Sequence, residues 1–286
     1  MIQQAVKTRV PQQVKKRIAE RRSGPRPSIP PPARLVRRAL QRAGLHPEMS
    51  SEVNVDLTGR HALVIATNHG TLGVGRPTGV FASELTVPYY EFVDAGMTVT
   101  VASPLGGEIP VDPLSLKPVL RTSADDRMLG DPSLKAALTS SRAVGDLDIS
   151  QFDLIYFAGG WGAAFDLGTS PVIGEQVTKA NANGAVLGGV CHGPLGLLHA
   201  KNPDGSPLVA GRRLTAVTDK QVQELGITST PQHPERELRN AGAVFESTHR
   251  RRDFLANHWV VDGNIVTGQN QNAAEKVAHL MLEAIG

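Results

Sequence analysis

The sequence predicts an α/β sandwich, in which a mostly parallel central sheet carries helices on both faces. Two observations predict it. From His61 onward, apolar runs of five or six residues alternate with amphipathic stretches. These runs also lack the alternating polar residues of a strand with one solvated face, so both faces of the sheet are expected to be covered.

The first half of this region supplies two strands and a helix. Residues 62–66 and 97–102 are short apolar runs typical of buried strands. Between them, residues 83–95 have helical character and are followed by Gly96, a residue type suited to a helix C-terminus. Residues 104–150 have turn residues and weak periodicity, which predicts loops and short helices over one end of the sheet.

The second half repeats the alternation. Strands are predicted at 153–158 and 185–190, with a helix over 172–182 between them. Residues 259–267 contain an Asp-Gly turn between two apolar runs, which predicts a hairpin. A closing helix is expected over 273–285.

Composition excludes several classes of protein. The chain has 286 residues, one of them a cysteine, so an internal disulfide and a Cys-rich zinc site are excluded and a reducing compartment, the cytoplasm, is expected. No apolar run approaches the roughly 18 residues that crossing a membrane requires. We expect no cofactor from the sequence.

Basic charge is concentrated at the N-terminus. Residues 1–50 hold 12 of the 30 Lys and Arg but two of the 27 acidic residues, so the remainder is acidic. Arg and Pro dominate residues 21–32, which predicts an arm that is disordered or partly helical. The arm is expected to be a solvated tail; an organelle presequence or a weak, salt-dependent contact with nucleic acid remains open. The twin arginines lack the apolar stretch of an export signal.

The lone cysteine lies at a strand–turn–helix elbow. The strand ends at Val190, Cys191 follows, and an apolar helical run covers 195–200. A helix N-terminus stabilises a thiolate, and Gly193 with the glycines before Cys191 permits a tight turn. The pattern therefore predicts a reactive thiol with a lowered pKa; a buried, inert cysteine is the alternative.

A thiol nucleophile needs a base, a group that orients the base, and donors for a developing oxyanion. His192 is the nearest candidate base. Asp219 follows an apparent strand over 214–217, where it could orient the base or cap the next helix. Gly160, Trp161 and Gly162 end a neighbouring strand, and their N–H groups are candidates for the oxyanion site.

Two segments carry a family resemblance. Residues 158–167 (AGGWGAAFDL) and 188–194 (GGVCHGP) resemble the ThiJ/PfpI superfamily, which is related to class I glutamine amidotransferases, and residues 261–270 support the match. The resemblance implies a flavodoxin-like sandwich over residues 51–286 and, by analogy, a homodimer.

The resemblance also implies roles for particular residues. It places the nucleophile on Cys191 and its partner on His192, with Glu84 hydrogen-bonded to the cysteine and Asp219 orienting the histidine. Trp161 stands where many glyoxalase III-like members have histidine. The metal ligands of the chaperone-like subgroup have no match around residues 88–95, so no metal is expected, and His69, His233, His249 and His258 are interpreted as surface or satisfied residues.

These features favour a glyoxalase III-like lyase, which would convert 2-oxoaldehydes such as methylglyoxal to 2-hydroxy acids through a cysteine hemithioacetal. A cysteine-dependent amidase, peptidase or amidotransferase-like hydrolase is the second interpretation. The third is a holdase or stress-response protein whose cysteine is oxidised. The expected partner is a small aldehyde or amide, with no membrane.

Overall fold

The computed structural model describes residues 55–227 and 230–286, together with positions 35, 39, 41, 42, 46 and 47. The predicted arm over residues 1–50 lies outside the described residues except at those six positions. Within the described part of the chain, no helix is both long enough and apolar enough to cross a membrane.

The strands and helices alternate as the sequence predicts. The strands are β1 (His61–Ile65), β2 (Thr98–Ser103), β3 (Arg142–Ala143), β4 (Leu154–Phe157), β5 (Val186–Val190), β6 (Arg213–Leu214), β7 (Val244–Phe245), β8 (Trp259–Asp262) and β9 (Ile265–Gly268). The helices are α1 (Ala82–Asp94), α2 (Ser123–Gly130), α3 (Pro132–Thr139), α4 (Ala163–Asp166), α5 (Pro171–Ala182), α6 (Asp219–Glu224), α7 (Pro234–Asn240) and α8 (Ala274–Ile285).

Seven strands form the main sheet in the order β3-β2-β1-β4-β5-β9-β8. All neighbours are parallel except β8 and β9, which form the predicted antiparallel hairpin. Successive side chains of a strand point to opposite faces. Val64 and Tyr156 accordingly join a core with α1 and α8, whereas Leu63 and Ile155 join a second core with α4 and α5. The expectation of a sheet covered on both faces is confirmed.

Two local predictions are wrong. The helix expected over 195–200 is a short 3-10 helix, Gly193–Leu197, because its glycines pack directly on Phe157: a Cβ on Gly193 would lie 2.2 Å from the Phe157 carbonyl oxygen. The strand expected over 214–217 is reduced to β6, which pairs with β7 in a separate two-stranded sheet. Residue 217 nevertheless reaches the site, because the Val217 N–H donates to the Cys191 carbonyl at 3.0 Å.

Candidate active site

Cys191 occupies a strained turn at the carboxyl end of β5. Its φ of 59° makes it the one non-glycine residue in the left-handed region among the described residues. Non-glycine residues adopt that region at a cost of order 1–3 kcal/mol, and such strain concentrates at functional sites. The Cys191 N–H donates to the Gly268 carbonyl at 3.0 Å, so the neighbouring strand β9 holds the turn in place. The elbow predicted from the sequence is therefore present.

Glycine at position 159 lets three parts of the site meet. A Cβ there would lie 2.3 Å from Glu84 Oε2, 2.5 Å from the Val190 carbonyl oxygen and 2.9 Å from Cys191 Cβ. No side chain fits in that space, since real Cβ contacts essentially never fall below about 3.0 Å. The close approach of α1 to the elbow thus depends on a residue without a side chain.

Glu84 faces the sulfur from the first turn of α1. The residue is 1% exposed, and its carboxyl group shares a hydrogen bond with the Cys191 thiol. Burial raises the pKa of Glu84 to about 8; the hydrogen bond from Cys191 lowers it in part, and the negative charge of Asp112 raises it. Near neutral pH the carboxyl group is therefore mainly protonated and can donate as well as accept.

The electrostatics of Cys191 differ from the sequence-based expectation. Burial raises the pKa of the thiol well above its usual value, and negative charge on Glu84 raises it further. The backbone N–H groups of Gly160 and His192 hydrogen-bond the sulfur and act in the opposite direction. The expectation of a lowered thiol pKa is wrong, because the short 3-10 helix gives little dipole while the sulfur is deeply buried.

His192 contacts the sulfur directly. Its Nδ1 lies 3.4 Å from Cys191 Sγ, and the residue is fully buried. Burial lowers the pKa of His192 to about 3, and the charge of nearby His233 lowers it as well. The imidazole is therefore neutral at physiological pH. Its Nε2 has no hydrogen-bond partner among the described residues.

Asp219 lies close to this histidine pair without touching His192 itself. It is the first residue of α6, and Thr218 rather than Asp219 caps that helix, so the capping interpretation is wrong by one residue. Asp219 Oδ1 lies 3.4 Å from Nδ1 of His233. The described contacts contain no hydrogen bond between Asp219 and His192. The orienting role thus stays a prediction, and His233, for which no sequence pattern indicated a role in catalysis, lies next to the site instead.

The turn after β4 supplies the other predicted pocket residues. Gly160 has φ +110° and directs its N–H to the sulfur. Trp161 is 8% exposed, and its ring centroid lies 5.0 Å from that of His192. The Gly162 N–H instead donates to the Gly79 carbonyl at 3.2 Å, and a Cβ on Gly162 would lie 2.4 Å from the His69 carbonyl oxygen. Gly162, like Gly193, serves close backbone packing.

One group of potential metal ligands occurs in the described residues, away from Cys191. Glu91 of α1 and Glu275 and His279 of α8 bring one ligand atom each to within 4.8 Å of one another. His279 Nε2 already hydrogen-bonds Glu91 Oε2 at 3.0 Å. This group joins α1 to α8, and no residue of the candidate active site belongs to it.

Comparison with known proteins identifies the family. Residues 77–284 match the DJ-1/PfpI family. The chain belongs to this family. A glutathione-independent glyoxalase of Schizosaccharomyces pombe is 28% identical over 239 residues, covering 79% of this chain and 98% of the relative. Glyoxalase 3 of Candida albicans is 29% identical over 222 residues, covering 73% of this chain and 91% of the relative.

Solved structures agree with the DJ-1/PfpI assignment. The crystal structure of glyoxalase III from Candida albicans matches with a TM-score of 0.69 at 26% identity, covering 79% of this chain and 97% of that one. The rapid encystment protein of Francisella tularensis matches with a TM-score of 0.74 at 29% identity, covering 79% and 99%. The predicted fold class and the resemblance are confirmed.

Proposed function

We propose that this protein converts 2-oxoaldehydes, typified by methylglyoxal, to 2-hydroxy acids without glutathione. The observation that carries the proposal is the hydrogen bond between the Cys191 thiol and the buried carboxyl group of Glu84, whose pKa is raised to about 8. A carboxylic acid that is neutral at pH 7 can give a proton to one atom and take a proton from another. The names of the glyoxalase relatives support the same chemistry.

The first step joins the thiol to the aldehyde. Cys191 Sγ bonds to the aldehyde carbon, and the thiol proton passes to Glu84 while the acid proton of Glu84 passes to the aldehyde oxygen. The product is a hemithioacetal, and Glu84 is again neutral. Because a protonated carboxyl group can donate through one oxygen and accept through the other, Glu84 can serve both atoms.

The next steps move hydrogen without any external oxidant. Glu84 moves the proton of the former aldehyde carbon to the neighbouring ketone oxygen, which gives an enediol. Glu84 then gives its acid proton to the former ketone carbon and takes the proton of the hydroxyl group on the sulfur-bearing carbon, which gives a thioester of the 2-hydroxy acid and leaves Glu84 neutral. Water cleaves the carbon–sulfur bond and releases lactate and the free thiol. One carbon is oxidised and its neighbour reduced, so the sequence balances.

The hydrolase alternative requires a different protonation state at the site. It requires His192 to accept the thiol proton and become imidazolium, with Asp219 behind it. Burial that lowers the pKa of His192 to about 3 opposes that charge, and the Asp219 carboxylate lies 3.4 Å from His233, with no described hydrogen bond to His192. The geometry therefore favours the lyase. A holdase would suppress aggregation of a client protein equally well after Cys191→Ala.

The test is D-lactate formation from methylglyoxal in buffer free of glutathione and metals. Wild-type protein is expected to be active, Cys191→Ala to fall to background and Glu84→Gln to lose at least about 100-fold, since the amide cannot exchange the proton. Glu175→Gln, an exposed glutamate on α5, is the matched control and should keep full activity. Activity of Cys191→Ala equal to that of wild type would refute the proposal.

Further expectations concern assembly and location. The family resemblance leads us to propose a homodimer in the cytoplasm, with a small aldehyde as partner. Sedimentation of the full chain would test the dimer, and a single monomeric species at micromolar concentration would exclude it.

A further inference from the structure

Three buried polar atoms on residues at or next to the Cys191 site have no hydrogen-bond partner in the described part of the chain. They are Oε2 of Glu84, Nε1 of Trp161 and Nε2 of His192, on residues that are 1%, 8% and 0% exposed. A buried polar group without a partner costs free energy, and native proteins keep few of them. Because the Trp161 ring packs beside the His192 ring, and His192 and Glu84 adjoin the sulfur, we take a ligand bound at Cys191 to be their partner.

The chemistry of these atoms restricts the ligand. The indole N–H of Trp161 can only donate. His192 is neutral, so one of its ring nitrogens donates, and Glu84 donates in its acid form. The wall around the thiol is therefore rich in donors, and it suits a ligand with more than one acceptor oxygen.

The donors differ in their position relative to the sulfur, and this difference suggests different roles. Glu84 and the Gly160 N–H both hydrogen-bond the sulfur, so they lie close to where negative charge develops on the aldehyde oxygen during attack. Trp161 follows Gly160 directly, and its ring stands 5.0 Å from the ring of His192, which contacts the sulfur at 3.4 Å. The indole thus packs beside the histidine that contacts the sulfur.

We propose that Trp161 is a specificity-determining residue, which donates its indole N–H to the second carbonyl oxygen of a vicinal dicarbonyl compound held at Cys191. This inference rests on the proposed function and names how the site distinguishes 2-oxoaldehydes from simple aldehydes and ketones. A site that offers a buried donor discriminates strongly against a ligand that lacks the matching acceptor, because the donor then stays unpaired.

Kinetics of Trp161→Phe provide the first test. Phenylalanine keeps an aromatic ring and removes the N–H, so KM for methylglyoxal should rise roughly tenfold while kcat stays within about threefold. Trp259→Phe is the matched control, since Trp259 lies on β8 and is 36% exposed, and it should behave as wild type. An unchanged KM in Trp161→Phe would overturn the inference, as would a loss confined to kcat.

A binding measurement needs no turnover and no change at Trp161. The chain has two tryptophans, so Trp161 is the single tryptophan in Trp259→Phe. Diacetyl carries two adjacent carbonyl groups but no aldehyde hydrogen, and butanone lacks the second carbonyl oxygen. Trp161 emission should respond to diacetyl at a concentration at least about tenfold lower than to butanone. Equal responses, or no response to diacetyl, would overturn the inference.

The two proposals fail in different ways. Selective binding of diacetyl by a protein that makes no lactate would refute the lyase function and leave the Trp161 subsite intact. Lactate formation that Trp161→Phe leaves unchanged would refute the subsite and leave the lyase function intact.

Discussion

Two buried carboxyl groups in this protein have pKa values that are shifted in opposite directions. Glu84 beside Cys191 has its pKa raised to about 8, mainly by burial. Burial also acts on Asp253, but hydrogen bonds outweigh it and lower the pKa to about 2. Asp253 accepts from the Arg250 N–H and Lys220 Nζ at 3.0 Å and from His249 Nδ1 and Thr218 Oγ1 at 2.9 Å.

The surroundings of Asp253 resemble a catalytic triad more closely than those of Cys191 do. Ser247 Oγ lies 3.2 Å from His249 Nε2, and His249 Nδ1 lies 2.9 Å from Asp253. Yet the His249 side chain is 58% exposed, and four donors bind the Asp253 carboxylate. A satisfied carboxylate holds its loop together, whereas a carboxyl group with few partners is free to exchange protons. The number of buried polar atoms without a hydrogen-bond partner therefore distinguishes the Cys191 site from the Asp253 cluster better than distances that resemble a catalytic triad.

The largest effect is expected at Gly159. In Gly159→Ala the new methyl group would overlap Glu84 Oε2 and Cys191 Cβ, so we expect lactate formation to fall roughly 100-fold and stability to fall by about 1–3 kcal/mol. Gly130→Ala is the control, because a Cβ on Gly130 would have open space within 4 Å. Full activity in Gly159→Ala would show that the contact between Glu84 and the thiol is not required.

Asp253→Asn tests the structural region. The amide keeps the shape and removes the charge that four donors stabilise, so unfolding free energy at pH 7 should fall by about 2–3 kcal/mol while activity per folded molecule is kept. Because the pKa of Asp253 is lowered in the folded state, wild type should also lose this contribution as pH falls from about 4 to about 2. A urea titration at several pH values measures both, and loss of activity without loss of stability would assign Asp253 to the chemistry.

Glu84→Gln tests a pH dependence of stability that is opposite in sign to that of Asp253. The folded protein keeps a proton on Glu84 that the unfolded chain releases above the ordinary value of 4.5, so wild-type stability should decline as pH rises from about 4.5 to about 8. The Gln variant lacks this contribution, and its Tm should vary with pH by roughly 10 °C less over that interval. Parallel Tm curves for the two proteins would contradict a raised pKa.

Ser247→Ala should have the smallest effect. If the cluster with His249 and Asp253 is structural, removal of the hydroxyl changes stability by no more than about 0.5 kcal/mol and leaves lactate formation unchanged. Reaction of wild-type Ser247 with a fluorophosphonate probe would instead indicate a nucleophile there.

The fold and the elbow at Cys191 could be predicted from the sequence, because local signals specify them, whereas Glu84 is indicated by the family resemblance alone. Apolar runs identify the buried strands, and the glycines around Cys191 identify the elbow. The environment of Cys191 could not be predicted in the same way. Its thiol pKa depends on burial by distant segments, and the placement of His233 beside His192 depends on how the loop before α7 packs. Such contacts join residues far apart in sequence and leave no periodic pattern.

The left-handed backbone conformation at Cys191 limits which residues this position can hold without destabilising the fold. β-Branched residues are strongly disfavoured there whatever their reactivity, whereas Gly and Asn adopt this conformation with little strain. Substitution by either would preserve the architecture and abolish the nucleophile in a single step. Relatives that have become non-catalytic are therefore expected to carry Gly or Asn at this position, and a search for such pseudoenzymes can begin with that one residue.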